Sequence, residues 1–496
     1  VGITLIHLLF APWPKLGVDE AHYALYGLHP AWSYFDHPPL VGWLQSVALL
    51  LGESEFILRL WPIILFAATS YVLFFLCRRL FPLVSAWLGF ISVLLLQGAL
   101  ILQLLGTAMT PEMPLLLLSL GIVWLYYNAF NDNRWRDWLL LGLCLGLAGL
   151  TKYTAIVFVC SILLMLVINR RWALFYSAKL WCCAAIALLL ISPVIWWNYQ
   201  HDWISLLYQL RRTHEVSHWQ WLALVKMQLE QLLLYSPVLY IGSLAAFSHY
   251  WLARKVKKID QATLVLLIFA LPILLLFSWT TLTANNKFLP HWTSTGWLLL
   301  IPLVARWLME QWQNKTVRFL AYSSGNYSCL LLVLFYSLMM LKPVNLIPPL
   351  KLGLRDLVGW QQAAQQGRAL LGQLSSQPGP GPSTLLVPNW TDASRIAWYA
   401  RPLPVQVLDP SKKITQFSLW FGQPSRATNG ILIMPRKKDK RATPNYTLGQ
   451  CQWLTSKTIK VKQVTINAFD FYHCFPNPAK AQSSHSASTT KRRQPL

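Results

Sequence analysis

Acidic residues are scarce in this 496-residue chain: 18 Asp and Glu stand against 42 Lys and Arg. Charged residues make up 12%, about half the share of a soluble domain, which argues against an ordinary soluble enzyme. The eight cysteines contain no CxxC pair matched by a second pair at ligand spacing, so no structural zinc signature is present. No convincing internal repeat is visible, which weakens a transporter built from repeated halves. The basic excess comes without a nucleic-acid-binding motif, so nucleic acid is not an expected partner. A hydrophobic fraction of 55% and a mean hydropathy of +0.42 exclude a disordered chain, a disulfide-stapled mini-protein and a fibrous repeat.

What the chain does contain is apolar residues in long blocks, with 26 tryptophans. This pattern predicts an all-α polytopic membrane protein. Spans are expected near 1–13, 58–78, 84–105, 113–130, 138–150, 153–168, 180–197, 232–252, 262–283, 293–309 and 320–341, about eleven in all. Alternation places the loops at Arg78-Arg79, 131–137, 169–179, 254–258 and 306–318 on one face. These loops carry 14 of the 22 basic residues before position 344, so that face is expected to be cytoplasmic. The region 138–168 is read as two short spans meeting at Thr151-Lys152-Tyr153, because one tilted span would bury Lys152 and break the charge bias.

The chain opens on Val1, and Val1–Trp13 has neither a charged n-region nor a small-residue cleavage site. An upstream start, a GTG start and processing are all compatible with that opening. Residues 1–343 then read as a transmembrane core with outer loops at 14–56, 106–114 and 198–231. Within the first loop, Ala21–Leu28 and Leu40–Leu51 are amphipathic. Residues 344–475 read as a small α/β domain, outside by parity. It has an amphipathic helix over 350–374, a QPGPGP linker at 377–382, and strands at 383–387, 405–408, 430–434 and 459–466. Residues 476–496 read as a disordered tail. Cys77, Cys144, Cys160, Cys182, Cys183 and Cys329 read as small core residues. Cys451 and Cys474 are placed to pair if their domain is extracytoplasmic.

With so few acids, their positions are informative. Asp19-Glu20 follow the first span, and neighbours on a helix point about 100° apart, so one of them is expected to face a shared cavity. Both also suit a helix N-terminus. Glu112, in Thr110-Pro111-Glu112, lies at the outer mouth of a span, where a helix dipole favours an acid whatever its function. Asp36-His37-Pro38-Pro39 reads either as a rigid, capped loop or as a carboxylate and imidazole held at the membrane surface. His201-Asp202-Trp203 reads as an interface anchor or a polar site. Lys152, Arg211, Arg212, Lys226, Lys287 and His291, outer by parity, suit either lipid headgroups or a bound phosphate. A base, a candidate metal site and a phosphate clamp on one face are the parts needed to transfer a group from a lipid phosphate.

Several motifs occur in order: Val18-Asp19-Glu20-Ala21-His22-Tyr23, Tyr34 to Leu40, Thr110-Pro111-Glu112, Leu150 to Thr154, and Trp196-Trp197-Asn198 through Trp203. Together they resemble the bacterial branch of glycosyltransferase family 39, the dolichyl-phosphate-mannose–protein mannosyltransferase-like group that includes the lipid A aminoarabinose transferase. Ala393–Tyr399 and Thr415–Trp420 resemble the tail domain of its bacterial members. The resemblance implies a C-type glycosyltransferase fold in the bacterial inner membrane, with a periplasmic active site and a sugar donor on undecaprenyl phosphate. Asp19 matches the proposed base, and Glu20 stands beside it. Glu112 falls where the family more often has Asp, and would orient the acceptor or assist a metal. Asp36 and His37 match the loop that approaches the lipid phosphate and any divalent cation. Lys152, His201, Arg211 and Arg212 are the candidates for substrate binding. The acceptor stays open between lipid A, another glycolipid and a protein hydroxyl. A flippase of lipid-linked sugars is the alternative, but it would want charges deep within spans, whereas these acids gather at one face.

Overall fold

The computed structural model describes residues 1–214, 219–253, 259–283, 288–342, 350–378, 381–408, 413–436, 441, 443–444 and 449–476. The chain divides into two compact units. One comprises Val1–Trp13 and Tyr26–Ser337, the other Pro14–Leu25 and Leu338–Leu496. Segment 14–25, expected to be an outer loop of the core, is therefore counted with the C-terminal domain.

The first unit is helical, and each expected apolar segment contains a helix. Among the described residues, five helices are long and apolar enough to cross a membrane: Glu55–Leu80, Glu112–Asp132, Ala178–Gln200, Gln261–Thr283 and Lys315–Leu341. A sixth is obtained if Trp221–Leu234 and Pro237–Leu252, bent by 110°, form one span. The count of eleven is not reached, because the other segments are short or interrupted. Gly2–Phe10 has 9 residues, and extended backbone at Ala99 divides 84–105 into Trp87–Gly98 and Leu100–Leu105. The expected break in 138–168 is present: Trp135–Thr151 ends at Lys152, and Ile156–Ile168 begins after one 3₁₀ turn.

Large aromatic side chains fill the centre, with Phe66, Tyr126, Trp138, Phe158 and Phe269 fully buried. Helix Trp135–Thr151 lies against Ala178–Gln200 through glycines. A Cβ at Gly142 would meet the Cys183 carbonyl oxygen at 2.5 Å, and one at Gly146 would meet Leu190 at 2.6 Å. Small residues at such spacing let two backbones approach where bilayer apolarity gives no hydrophobic drive.

The 21 residues of Glu112–Asp132 rise about 31 Å, enough for a hydrocarbon core. At its Asp132 end, Arg79 bonds Asn128 at 2.7 Å and Asp132 at 3.1 Å. Lys179 donates to the Asn133 carbonyl, and the Arg171 guanidinium lies over Phe130. Arg306 lies over Phe81 and bonds Asp260 at 2.7 Å. Loops that alternation assigned to one face thus meet at one end of the bundle; residues 254–258 lie outside the described residues.

The second unit holds a five-stranded sheet of order β2-β1-β3-β5-β4. Strands β1 (Thr384–Val387), β2 (Val405–Val407) and β3 (Gly430–Pro435) are parallel, and β4 (Gly449–Val461) and β5 (Val464–Pro476) join antiparallel. The strand expected over 459–466 is instead a hairpin corner. Lys462 and Gln463 both have positive φ, as a tight two-residue hairpin turn requires. Cys451 and Cys474 face each other across β4 and β5 and form a disulfide. The helix expected over 350–374 is two, Leu350–Leu357 and Trp360–Ser375, because Gly359 turns the chain at φ +98°. Residues 477–496, expected to be a disordered tail, lie outside the described residues.

Candidate active site

Breaks between helices bring the polar groups of the first unit together. Pro111 opens the helix Glu112–Asp132, leaving Glu112 in its first turn, buried. Lys152 leaves its helix in extended conformation (φ −157°, ψ 139°), and its Nζ lies 2.5 Å from Glu112 Oε1. The 3₁₀ turn Pro290–Thr293 sets His291 Nε2 3.5 Å from the same oxygen. His37 lies within electrostatic reach of that carboxylate. Four sequence candidates are therefore gathered here, with Lys152, His291 and His37 around the buried carboxylate of Glu112.

Asp36 is held by groups that the sequence did not mark. The Tyr26 hydroxyl donates to its carboxylate, and Gln209 Nε2 donates to its carbonyl at 2.6 Å. His37 Nε2 is 3.9 Å from Asp36 Oδ2. Tyr26 and Tyr34 stack at 3.6 Å, and the Phe35 and Tyr208 rings meet at 4.6 Å. Gln209 and Tyr208 belong to the helix Ile204–His214, so that helix packs on the Asp36 loop. No local pattern signals a partner 173 residues away in sequence.

The same helix is tied to the Lys152 break. Tyr153 and Ser205 hydroxyls are 2.8 Å apart, Asn198 Nδ2 donates to the Tyr153 hydroxyl at 3.3 Å, and Asn198 Oδ1 accepts from the Leu206 N–H. His201 stacks on Trp197 at 3.9 Å and bonds its carbonyl through Nδ1, which makes it part of the end of helix Ala178–Gln200. Arg211 is exposed on Ile204–His214; the side chain of Arg212, and all of Lys287, lie outside the described residues. Lys226 is exposed, 3.8 Å from Glu230. An open apolar cavity of about 770 Å³ is lined by Trp32, Pro193, Trp196, Tyr199 and Trp203.

Asp19 and Glu20 belong to the second unit. Glu20 Oε2 accepts from the Gly17 N–H at 3.1 Å, closing the start of helix Val18–Leu28 as the reciprocal half of a capping box does. Asp19 is half-buried in the first turn.

Among the described residues, no three His, Cys, Asp or Glu side chains converge as metal ligands. Asp36 and His37 offer two, which does not fit a closed protein cage. It fits an oxygen-bound ion only where phosphate oxygens and water complete the shell.

The helical first unit and the small C-terminal sheet share the fold of solved neighbours of the C-type glycosyltransferase class. Over 95% of this chain and 96% of the other, the structure is similar to ArnT from Cupriavidus metallidurans bound to undecaprenyl phosphate, with a TM-score of 0.63 at 14% identity. An oligosaccharyltransferase from Archaeoglobus fulgidus, in complex with Zn and sulfate, matches with a TM-score of 0.52 at 13% identity, over 82% of this chain and 62% of that one. Residues 36–197 match the family model of dolichyl-phosphate-mannose-protein mannosyltransferase. The lipid A galacturonosyltransferase RgtD of Rhizobium johnstonii is 27% identical over 302 residues, 59% of this chain and 60% of the relative. The match thus spans less than two thirds of that curated relative. The resemblance read from the motifs is borne out.

Proposed function

We propose that this protein is an integral-membrane glycosyltransferase that moves a sugar from undecaprenyl phosphate to a hydroxyl of a lipid A-type glycolipid. The observation that carries the reading is the gathering of Glu112, Lys152, His291, His37 and Asp36 at helix breaks of this fold. Lys152 and the two imidazoles offer donors to a lipid-borne phosphate, and Glu112 fixes their positions. The aromatic cavity suits a prenyl or acyl chain. The acceptor class is suggested by RgtD, described as acting on lipid A.

Asp19 acts as the base. It takes the acceptor hydroxyl proton as that oxygen attacks the anomeric carbon. The bond from that carbon to the phosphate oxygen breaks, the phosphate keeps the electron pair, and configuration inverts. Asp36 and His37 stand at the phosphate, and an oxygen-bound divalent ion there would add positive charge to it. The reacting face is periplasmic. Two observations support this: the basic loops meet at the Asp132 end of the bundle, opposite Glu112, and the Cys451–Cys474 disulfide belongs to oxidising compartments.

The test is transfer in proteoliposomes from sugar-labelled undecaprenyl phosphate, with lipid A and membrane protein supplied as separate acceptors. Label in lipid A supports the reading. Label in protein moves the acceptor assignment. Label that only crosses the bilayer makes the protein a flippase.

A further inference from the structure

The segment carrying Asp19 is held within the second unit by contacts to distant parts of the chain. The Leu16 N–H donates to the Tyr399 hydroxyl at 3.1 Å, across 383 residues of sequence. Asp356 Oδ2 stands 3.5 Å from the Val18 nitrogen, at the N-terminus of helix Val18–Leu28, where the dipole favours a carboxylate. Its other oxygen is fixed by Arg395 Nη1 at 2.6 Å, and Arg395 is itself held by Asp392 and by the face of Trp360. The approach is close: a Cβ at Gly17 would come within 3.3 Å of Asp356 Oδ2.

One turn further, His22 is buried in an aromatic surround of Trp390, Phe417 and Trp420. Its Nδ1 lies 3.1 Å from Ser394 Oγ. Ser394 gives its own proton to the Trp390 carbonyl at 2.9 Å, so it accepts from His22, and Nδ1 carries the hydrogen. Ser394 and Tyr399 lie in one of the two C-terminal motifs, and Phe417 and Trp420 in the other. Both motifs therefore contact the segment that bears Asp19, at Leu16 before it and at His22 after it, which gives them a purpose that neither sugar nor lipid chemistry had supplied.

We propose that the C-terminal domain positions the base, with Tyr399, Asp356 and Ser394 as positioning residues for Asp19. The inference rests on the reading of Asp19 as the base. Misplacement of a reacting group by about 1 Å costs on the order of 100-fold in rate, so losing one anchor lowers turnover without touching donor binding.

The experiment uses the full-length protein in proteoliposomes, with Tyr399→Phe, Ser394→Ala, Asp356→Asn and Asp19→Asn compared by kinetics and by amide hydrogen exchange. Tyr399→Phe and Ser394→Ala are expected to lower kcat about 10- to 100-fold with donor KM within about twofold. Exchange over 14–25 should quicken in both variants. Ser394→Thr, which keeps the hydroxyl, should restore the rate. Ser456→Ala, which removes a bond to Asp470 elsewhere in the sheet, should change neither kcat nor exchange over 14–25. Turnover within twofold of wild type in the anchor variants, alongside an inactive Asp19→Asn, overturns the positioning claim. An active Asp19→Asn removes the base assignment itself, and faster exchange in the anchor variants would then leave only a structural clamp.

Discussion

Lys152 Nζ lies 2.5 Å from Glu112 Oε1, with both side chains largely shielded from solvent. Removing one partner of such a pair strands the other, at about 3–5 kcal/mol. Lys152→Met is therefore expected to lower thermal stability in detergent and to abolish transfer. The double variant Lys152→Met/Glu112→Leu should recover much of the stability and stay inactive. Melting and transfer measured on the same preparations separate the two effects; a double variant that transfers sugar at the wild-type rate would remove the pair from the site.

Gly142 faces backbone, whereas Gly121 faces the Cys144 sulfur at an ordinary 3.6 Å. Gly142→Ala is expected to cost about 1–3 kcal/mol through overpacking, and Gly121→Ala almost nothing. Urea or thermal unfolding of the two variants checks the contrast, and donor KM should be unchanged in both.

The Cys451–Cys474 bond ties β4 to β5 across a sequence separation of 23. Its removal by Cys451→Ser/Cys474→Ser is expected to cost about 2–4 kcal/mol. The same bond reports on sidedness. In cells, thiol labelling without reductant should leave both cysteines unmodified if the domain is periplasmic, and modify both if it faces the cytoplasm.

Acid should weaken the opposite end of the bundle. Burial pushes the Asp260 carboxyl up, but hydrogen bonds from Arg306 and Thr263 outweigh this and hold it below its ordinary value of 3.8. A carboxyl lowered on folding stabilises above its unfolded value, and that contribution is lost as pH falls through the folded one. Asp260→Asn is expected to flatten the loss of melting temperature below about pH 4, while leaving the slope between pH 6 and 8 as in wild type.

Much of this was legible in sequence where the signal is local. The Thr151-Lys152-Tyr153 break followed from the cost of burying a lysine, and the helix ends there. The first three strands of the sheet followed from apolar runs bounded by turn residues. The hairpin corner at Lys462-Gln463 was missed because it lacks the Asn or Gly that usually marks such a turn. The count of eleven spans is not matched by long apolar helices among the described residues, because hydropathy does not report a break such as Ala99, or whether a helix reaches bilayer length. Tyr26 and Gln209 at Asp36, and Tyr399 at Leu16, were invisible because each pairing depends on tertiary contact rather than on neighbours in the chain.

The most direct test is stoichiometric release of undecaprenyl phosphate from its sugar conjugate by purified wild type and Asp19→Asn, with lipid A present. The account predicts one undecaprenyl phosphate released per sugar transferred by wild type, with inverted anomeric configuration, and none by a folded Asp19→Asn. Equal release by both proteins, or no release from any polyprenyl donor, would contradict it.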